Sequence, residues 1–377
     1  MLFKEIVGQE TLKSRLIQTV RENRVSHAWL FFGPEGSGVL PLALALARFI
    51  LCTDRGGNDA CGVCHSCNMV NKYIHPDLHF TFPVNKTRDV DKDSPVVSDD
   101  FVADWRAFLL NQPYGRVTRW YDAIDLENKQ GIINTDESKR LAGKLNLKPY
   151  ESEYKVAIIW QPEKMNDQAA NKLLKLLEEP PPNTIFILAG ENPDQLLTTI
   201  RSRCAQVKIP RISDSALYAA LIDNHHVSPD KATDLVRLVS GNYLRAVEIL
   251  SEEEEAGSNF RQFRYMMQLC YGKKIPELIK FAEEMAALTR ERQKAFLEYG
   301  LRSIRENLAL HFNTPEILYI TTEEQEFVSK FARFITGENI ESIIHELSSA
   351  ITDIERNGNG RMIFLDMVLK LSGMIKM

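Results

Sequence analysis

Four of the six cysteines in this chain, Cys52, Cys61, Cys64 and Cys67, follow the pattern C-x8-C-x2-C-x2-C. Four thiolates brought together by short turns, with Gly62 between two of them, suit a tetrahedral zinc site. A shell already filled by protein has no open position for substrate, so such a zinc is structural rather than catalytic. Short C-x2-C-x2-C runs also hold iron–sulfur clusters; against that rival, no Cys-Pro follows and nothing nearby suggests redox chemistry. His65, His75 and His79 lie close enough in sequence to replace a ligand, and the plainer expectation is that they pack or face solvent.

The second candidate is Gly33-Pro34-Glu35-Gly36-Ser37-Gly38-Val39-Leu40. A working phosphate loop reads G-x-x-x-x-G-K-[ST]: its backbone N–H groups cradle phosphates, its lysine neutralises them and its hydroxyl holds Mg²⁺. Gly33 and Gly38 keep the spacing, and Gly36 adds a third glycine, but Val39 and Leu40 stand where the lysine and hydroxyl belong. Phosphoryl transfer then lacks its main electrostatic support. On the residues alone, a tight strand-to-helix turn accounts for the glycines equally well.

These sites need elements to carry them. Leu12, Leu16, Ile17 and Val20 mark one face of a helix over Thr11–Arg24. Ala28–Phe32 is a continuous apolar run suited to a strand buried on both faces, and a helix follows from near Pro41. Lys155–Trp160 and Thr184–Ala189 repeat the strand signal after helical stretches, and this alternation predicts a parallel α/β sheet. Where a hydrolase would end its strand with an acidic pair, Trp160 and Gln161 stand instead. Residues 84–130 form an insertion with a helix near Asp100–Asn111. Its aromatics and Arg106, Arg116 and Arg119 either stack on single-stranded nucleic acid or pack the insertion onto its own domain. Past Pro210 the pattern is helical only: Ser213–His225, Ser228 or Pro229–Val239, and Leu244–Leu250. The acidic run Glu252–Glu255 with Gly257 is expected to be a solvated linker. Helical periods follow at Glu323–Thr336, Ile340–Asn357 and Gly360–Ile375.

Asn171–Pro181, the strand after it, Ser202-Arg203-Cys204, Val7-Gly8-Gln9, the loop at Gly33 and the cysteine module occur here in the order found in clamp-loader subunits. Over residues 1 to about 210 the chain resembles the AAA+ clamp-loader family of bacterial DNA polymerase III. The resemblance implies an AAA+ domain (1–210) with a zinc module (52–67), a three-helix lid (211–255) and an all-α collar (258–377) that joins subunits in a ring. It makes Arg203 an arginine finger acting in trans on a neighbour's ATP site, with Ser202 and Cys204 as its motif. It gives Arg245 a nucleotide-sensing or interdomain role. The implied partners are ATPase subunits of the gamma/tau type, a delta-type subunit, the sliding clamp and, through the assembly, primed DNA. With two parts of the ATPase machinery missing, neither hydrolysis nor ATP or ADP binding is expected. An ATPase with an atypical loop and a zinc-bearing nucleic-acid module remain the rival readings. Without the resemblance, Arg201 and Arg203 would cap a turn or pair with Glu191.

The chain of 377 residues, 44% hydrophobic, has room for two or three cores. Its net charge of −5 and pI near 6.0 argue against a self-sufficient nucleic-acid binder. No apolar stretch suits a membrane span and the first residues do not resemble a signal peptide, so a cytoplasmic location is expected.

Overall fold

The computed structural model describes residues 1–87, 90, 95–126, 129–311, 327, 331, 334–337, 339–356 and 358–375. The chain divides into two compact units, Met1–Glu248 and Ile249–Met377.

The first unit is built on a five-stranded parallel sheet in the order β2-β3-β4-β1-β5. The strands are β1 (Ala28–Phe32), β2 (Leu78–Thr81), β3 (Lys155–Trp160), β4 (Thr184–Gly190) and β5 (Ala205–Lys208). The expected parallel α/β sheet is thus present, with two strands more than the three apolar runs marked. β2 and β5 are the edges. Each is only four residues long, and β5 alternates half-buried Ala205 and Val207 with exposed Gln206 and Lys208, as an edge requires. The central strands bury both faces, and their side chains divide with period two. Trp29, Phe31, Val156, Ile158, Ile185 and Ile187 face one core. Ala28, Leu30, Ala157, Ile159, Phe186 and Leu188 face the other.

Helices α1 (Glu10–Arg21), α2 (Val39–Leu51) and α3 (His65–Asn71) lie on the first side, joined by α4 (Val102–Asn111) and α5 (Val117–Ala123) from the insertion. Trp105 and Trp120, both 0% exposed, pack against each other and against Phe82 and Phe108 with ring centroids 4.2–5.6 Å apart, and Trp105 also meets Trp160 at 5.1 Å. These aromatics are core, which removes them as platforms for nucleic-acid bases. Helices α6 (Thr135–Leu145), α7 (Asp167–Glu178) and α8 (Thr198–Arg201) cover the other face. The Asn134 side chain caps α6 by accepting from the amides of Asp136 and Glu137.

Three helices follow: α9 (Asp214–His225), α10 (Pro229–Val239) and α11 (Tyr243–Tyr271). The expected linker at Glu252–Glu255 is instead the middle of α11, a single helix of 29 residues. Glutamate is a good helix former when its charge faces water, and one interior glycine costs only ~1 kcal/mol. In the second unit the far end of α11 packs with α12 (Ile275–Ala286), α13 (Arg290–His311), α14 (Ile340–Glu355) and α15 (Gly360–Met374). Phe263, Met266, Phe281, Phe296, Leu347, Phe364 and Leu371 form its core. The helical period at Glu323–Thr336 lies largely outside the described residues.

Candidate functional site

The order of the strands puts a crevice at their C-terminal ends beside β1, where open α/β sheets place ligands. The Gly33–Gly38 turn leaves β1 there and leads into α2. Gly33 is required because a Cβ would collide with the carbonyl of Ile209. Gly36 and Gly38 take φ of +72° and +97°, which side chains resist. The turn is fastened from two sides. Gln9 Nε2 donates to the carbonyls of Ser37 (3.2 Å) and Pro210 (2.7 Å), and the Tyr243 amide donates to the Gly36 carbonyl (3.3 Å). Asn242 Nδ2 donates to Glu35 Oε1 at 3.3 Å, in space that a side chain on Gly36 would fill. The first Val-Gly-Gln motif therefore acts as a strut for the loop, a role its sequence does not announce.

The glycine-rich turn is in place, and the crevice beside it is narrow. The cavity lined by Glu35, Gly38, Val39, Tyr114, Arg116, Trp160 and Glu191 has a volume of about 40 Å³. Small-molecule sites run to ~300–1,000 Å³, and this cavity lies well below that range. Its lining carries two carboxylates, Glu35 and Glu191. Burial, reinforced by the negative charges of Glu35 and Glu163, pushes the Glu191 carboxyl above its ordinary range despite a hydrogen bond from Gln161. Arg116 lines the cavity too, yet its guanidinium is engaged at 3.1 Å by the Glu248 carboxylate.

Ser202-Arg203-Cys204 lies just past α8, between that helix and β5. Arg203, with 37% of its side chain exposed, pairs with Glu178 at 2.6 Å and donates to the Thr199 carbonyl at 3.1 Å. Arg201 pairs with Asp194 at 2.5 Å. Neither pairs with Glu191, the partner that sequence alone suggests; Glu178, at the end of α7, is too distant in sequence to be anticipated. Cys204 is buried, and burial raises its thiol to about 11. Arg245 reaches Glu248 at 3.5 Å.

The cysteine module gathers as its spacing predicts. The Sγ atoms of Cys52, Cys61, Cys64 and Cys67 all lie within 4.8 Å of one another, with separations of 3.6, 3.9 and 3.9 Å for 52–61, 52–64 and 61–67. Four thiolates ~2.3 Å from a tetrahedral zinc stand ~3.8 Å apart, so the residues fit that metal. The amides of Cys61, Cys64 and Cys67 donate to Cys52, Cys61 and Cys64 sulfurs at 3.2–3.4 Å, the support thiolate ligands need. Burial would raise the Cys64 thiol, but hydrogen bonds from Thr53 and the Cys67 amide outweigh it and bring it to about 6. Arg48, 3% exposed on α2, hydrogen-bonds Cys67 and the Gly62 carbonyl and so sets a positive charge beside the sulfurs. Of the nearby histidines, His75 is buried and hydrogen-bonded to Ser152, and none joins the cysteine cluster.

A sequence profile of the family described as "DNA polymerase III, delta subunit" matches residues 8–213. The chain belongs to that family. Among its relatives, DNA polymerase III subunit delta' of Bacillus subtilis is 29% identical over 66% of this chain, and the match spans 61% of that relative's own length. Subunit delta' of Escherichia coli is 24% identical over 95% of this chain and 92% of its own. Subunit gamma/tau of Mycobacterium tuberculosis is 28% identical over 61% of this chain and 33% of its own. The matched residues 8–213 include the loop, the cysteine module and Ser202-Arg203-Cys204 together.

Proposed function

We propose that this chain is a delta-prime-type subunit of the DNA polymerase III clamp loader that does not itself hydrolyse ATP. The observation that carries the reading is the phosphate loop: its glycines are in place, but its cavity of about 40 Å³ is lined by Glu35 and Glu191 and lacks the lysine. A γ-phosphate would meet carboxylates where a working site offers a cation. In this proposal the subunit binds gamma/tau-type and delta-type subunits and helps them open a sliding clamp for primed DNA. Residues 1–210 serve as the AAA+ domain, 211–255 as a lid and 258–377 as a collar.

Within that assembly Arg203 is the group offered to a neighbour's ATP. Its support is position: it sits on the surface at the end of a short helix, tethered by Glu178 and a carbonyl. A guanidinium released from such an exposed pair gives up little, since exposed ion pairs contribute ~0–1 kcal/mol. Supplied in trans to a transferring phosphoryl group it is worth ~10³–10⁵ in rate in other systems. Structural zinc in the Cys52–Cys67 module completes the proposal. The deciding experiment is steady-state ATP hydrolysis by the purified chain with Mg²⁺ and primed DNA. No turnover above background is expected; turnover of ~1 s⁻¹ or more, the ordinary enzyme range, overturns the proposal.

A further inference from the structure

The residues that fill the phosphate-loop crevice come from an unexpected source. Tyr114, Gly115 and Arg116 belong to the insertion, in the turn between α4 and α5. The turn is held by a hydrogen bond from the Gly115 amide to the Gln112 carbonyl at 2.8 Å, and a side chain on Gly115 would meet the Phe108 ring at 2.5 Å. That geometry lays the half-buried Tyr114 ring over Gly38: a Cβ there would touch Tyr114 Cε1 at 3.4 Å. From this position Tyr114 reaches in two further directions. Its hydroxyl accepts from the Val7 amide at 2.9 Å, and its ring meets Tyr243 edge-on at 4.9 Å between centroids. Tyr243 in turn hydrogen-bonds His225 at 2.9 Å, so one chain of packed groups runs from the loop to both α11 and α9.

Arg116 makes the second attachment. Glu248, on the second turn of α11 and 8% exposed, receives Arg116 at 3.1 Å, Arg119 at 3.4 Å and Arg245 at 3.5 Å. Two of these guanidiniums come from the insertion and one from α11 itself. A buried carboxylate needs such compensation, so α11 is tied to the insertion turn electrostatically as well as by ring packing.

We propose that the turn Gln112–Arg116 is the built-in ligand of this crevice: it occupies the place over the glycine-rich loop that nucleotide takes in a working phosphate loop, and it holds the helical residues 214–248 against the sheet. The inference rests on the reading of the loop as nucleotide-free. A free ligand that bridged the loop and the helices over residues 214–248 would strengthen their packing as it bound. Here the bridging group belongs to the chain itself, so its occupancy does not depend on the concentration of a free ligand.

Hydrogen exchange on the full chain, with and without Mg-ATP, tests this. Tyr114→Ala is expected to speed exchange over residues 214–248 about tenfold or more while the sheet residues 155–190 stay unchanged, because removing the ring loosens only its own neighbourhood. Arg116→Gln, which leaves the aromatic core alone, is expected to accelerate the same segment about threefold. Exchange over 214–248 as slow in Tyr114→Ala as in the unmodified chain overturns the proposal. Should that variant fail to fold, unchanged exchange in Arg116→Gln overturns it instead. Mg-ATP is expected to leave the unmodified chain's exchange unaltered. Slowing by ATP there would sink the nucleotide-free reading, whereas a rigid Tyr114→Ala chain that ignores ATP would sink only the built-in ligand.

Discussion

Arg203 is defined by how weakly it is held. Its partner Glu178 has 41% of its side chain exposed, so Arg203→Ala should change the chain's own stability by less than ~1 kcal/mol. In an assembly reconstituted with active ATPase subunits, the same substitution should lower ATP hydrolysis in part and clamp loading further. Arg203→Lys should rescue little, because a lysine lacks the planar fork that engages two oxygens. Arg201→Ala, which removes a pair to exposed Asp194, is the control with the smaller expected effect. Clamp loading by the Arg203→Ala assembly at the unmodified rate, at limiting ATP, would return Arg203 to the status of a turn residue. His79, in β2, makes a separate prediction about pH. Burial, aided by the positive charge of Lys144, holds it down to about 4 from 6.5. The unfolded chain therefore takes up a proton near pH 6.5 that the folded chain refuses until about pH 4. Stability is full above pH 6.5 and falls as pH drops through that window, by about 1–2 kcal/mol at pH 5. His79→Gln should flatten this limb when denaturant unfolding is compared at pH 7 and pH 5. An equal loss in both proteins would show that other groups control it.

Among the elements, the cysteine module has the widest reach. The Asp59 carboxylate, in its loop, accepts from the amides of Phe3 (3.2 Å) and Lys4 (3.0 Å). Losing the metal should therefore loosen the N-terminal segment as well as α3. A strong chelator, or Cys64→Ser, should lower the unfolding midpoint of the first unit by roughly 5–15 °C and leave the Ile249–Met377 unit untouched. Elemental analysis of the unmodified protein should give one zinc per chain; iron would favour the cluster rival. The glycine-rich loop behaves differently, because its defect is distributed. Val39→Lys with Leu40→Thr restores two residues of the motif but leaves Glu191, Gln161 and the filled cavity of about 40 Å³. That double variant should still show no hydrolysis above background, and measurable turnover would mean the crevice opens more readily than its packing suggests.

At the scale of the molecule, the boundary between units falls inside α11 rather than in a loop. A fragment of residues 249–377 should fold cooperatively, since Phe260, Phe263, Met266 and Cys270 of α11 belong to its core. A fragment starting at residue 272 removes those side chains, each worth ~2–5 kcal/mol in a packed core, and should lose its cooperative melt by circular dichroism. If both fragments melt alike, α11 is not a required wall of that core.

What the chain declares locally can be read from it directly. The cysteine pattern, the apolar runs of β1, β3 and β4, the Asn134 cap and the missing lysine each depend on neighbours a few residues apart. The edge strands are harder: Leu78–Thr81 and Ala205–Lys208 are four residues long and owe their pairing to β3 and β1 rather than to their own composition. The acidic run of α11 reads as a linker because charge alone does not separate a solvated loop from the solvated face of a helix. The state of the crevice is not legible at all. Tyr114, Arg116 and Glu191 are separated from the glycines by about 75 to 155 residues of chain, and only the folded sheet, with its C-terminal strand ends turned toward the insertion, brings their bulk and charge onto the loop. Sequence determined that the lysine and hydroxyl of a working phosphate loop are absent, since that depends on which side chains are present; tertiary structure decided that Tyr114, Arg116 and Glu191 line the crevice beside the glycines, since that is a property of packing between distant segments.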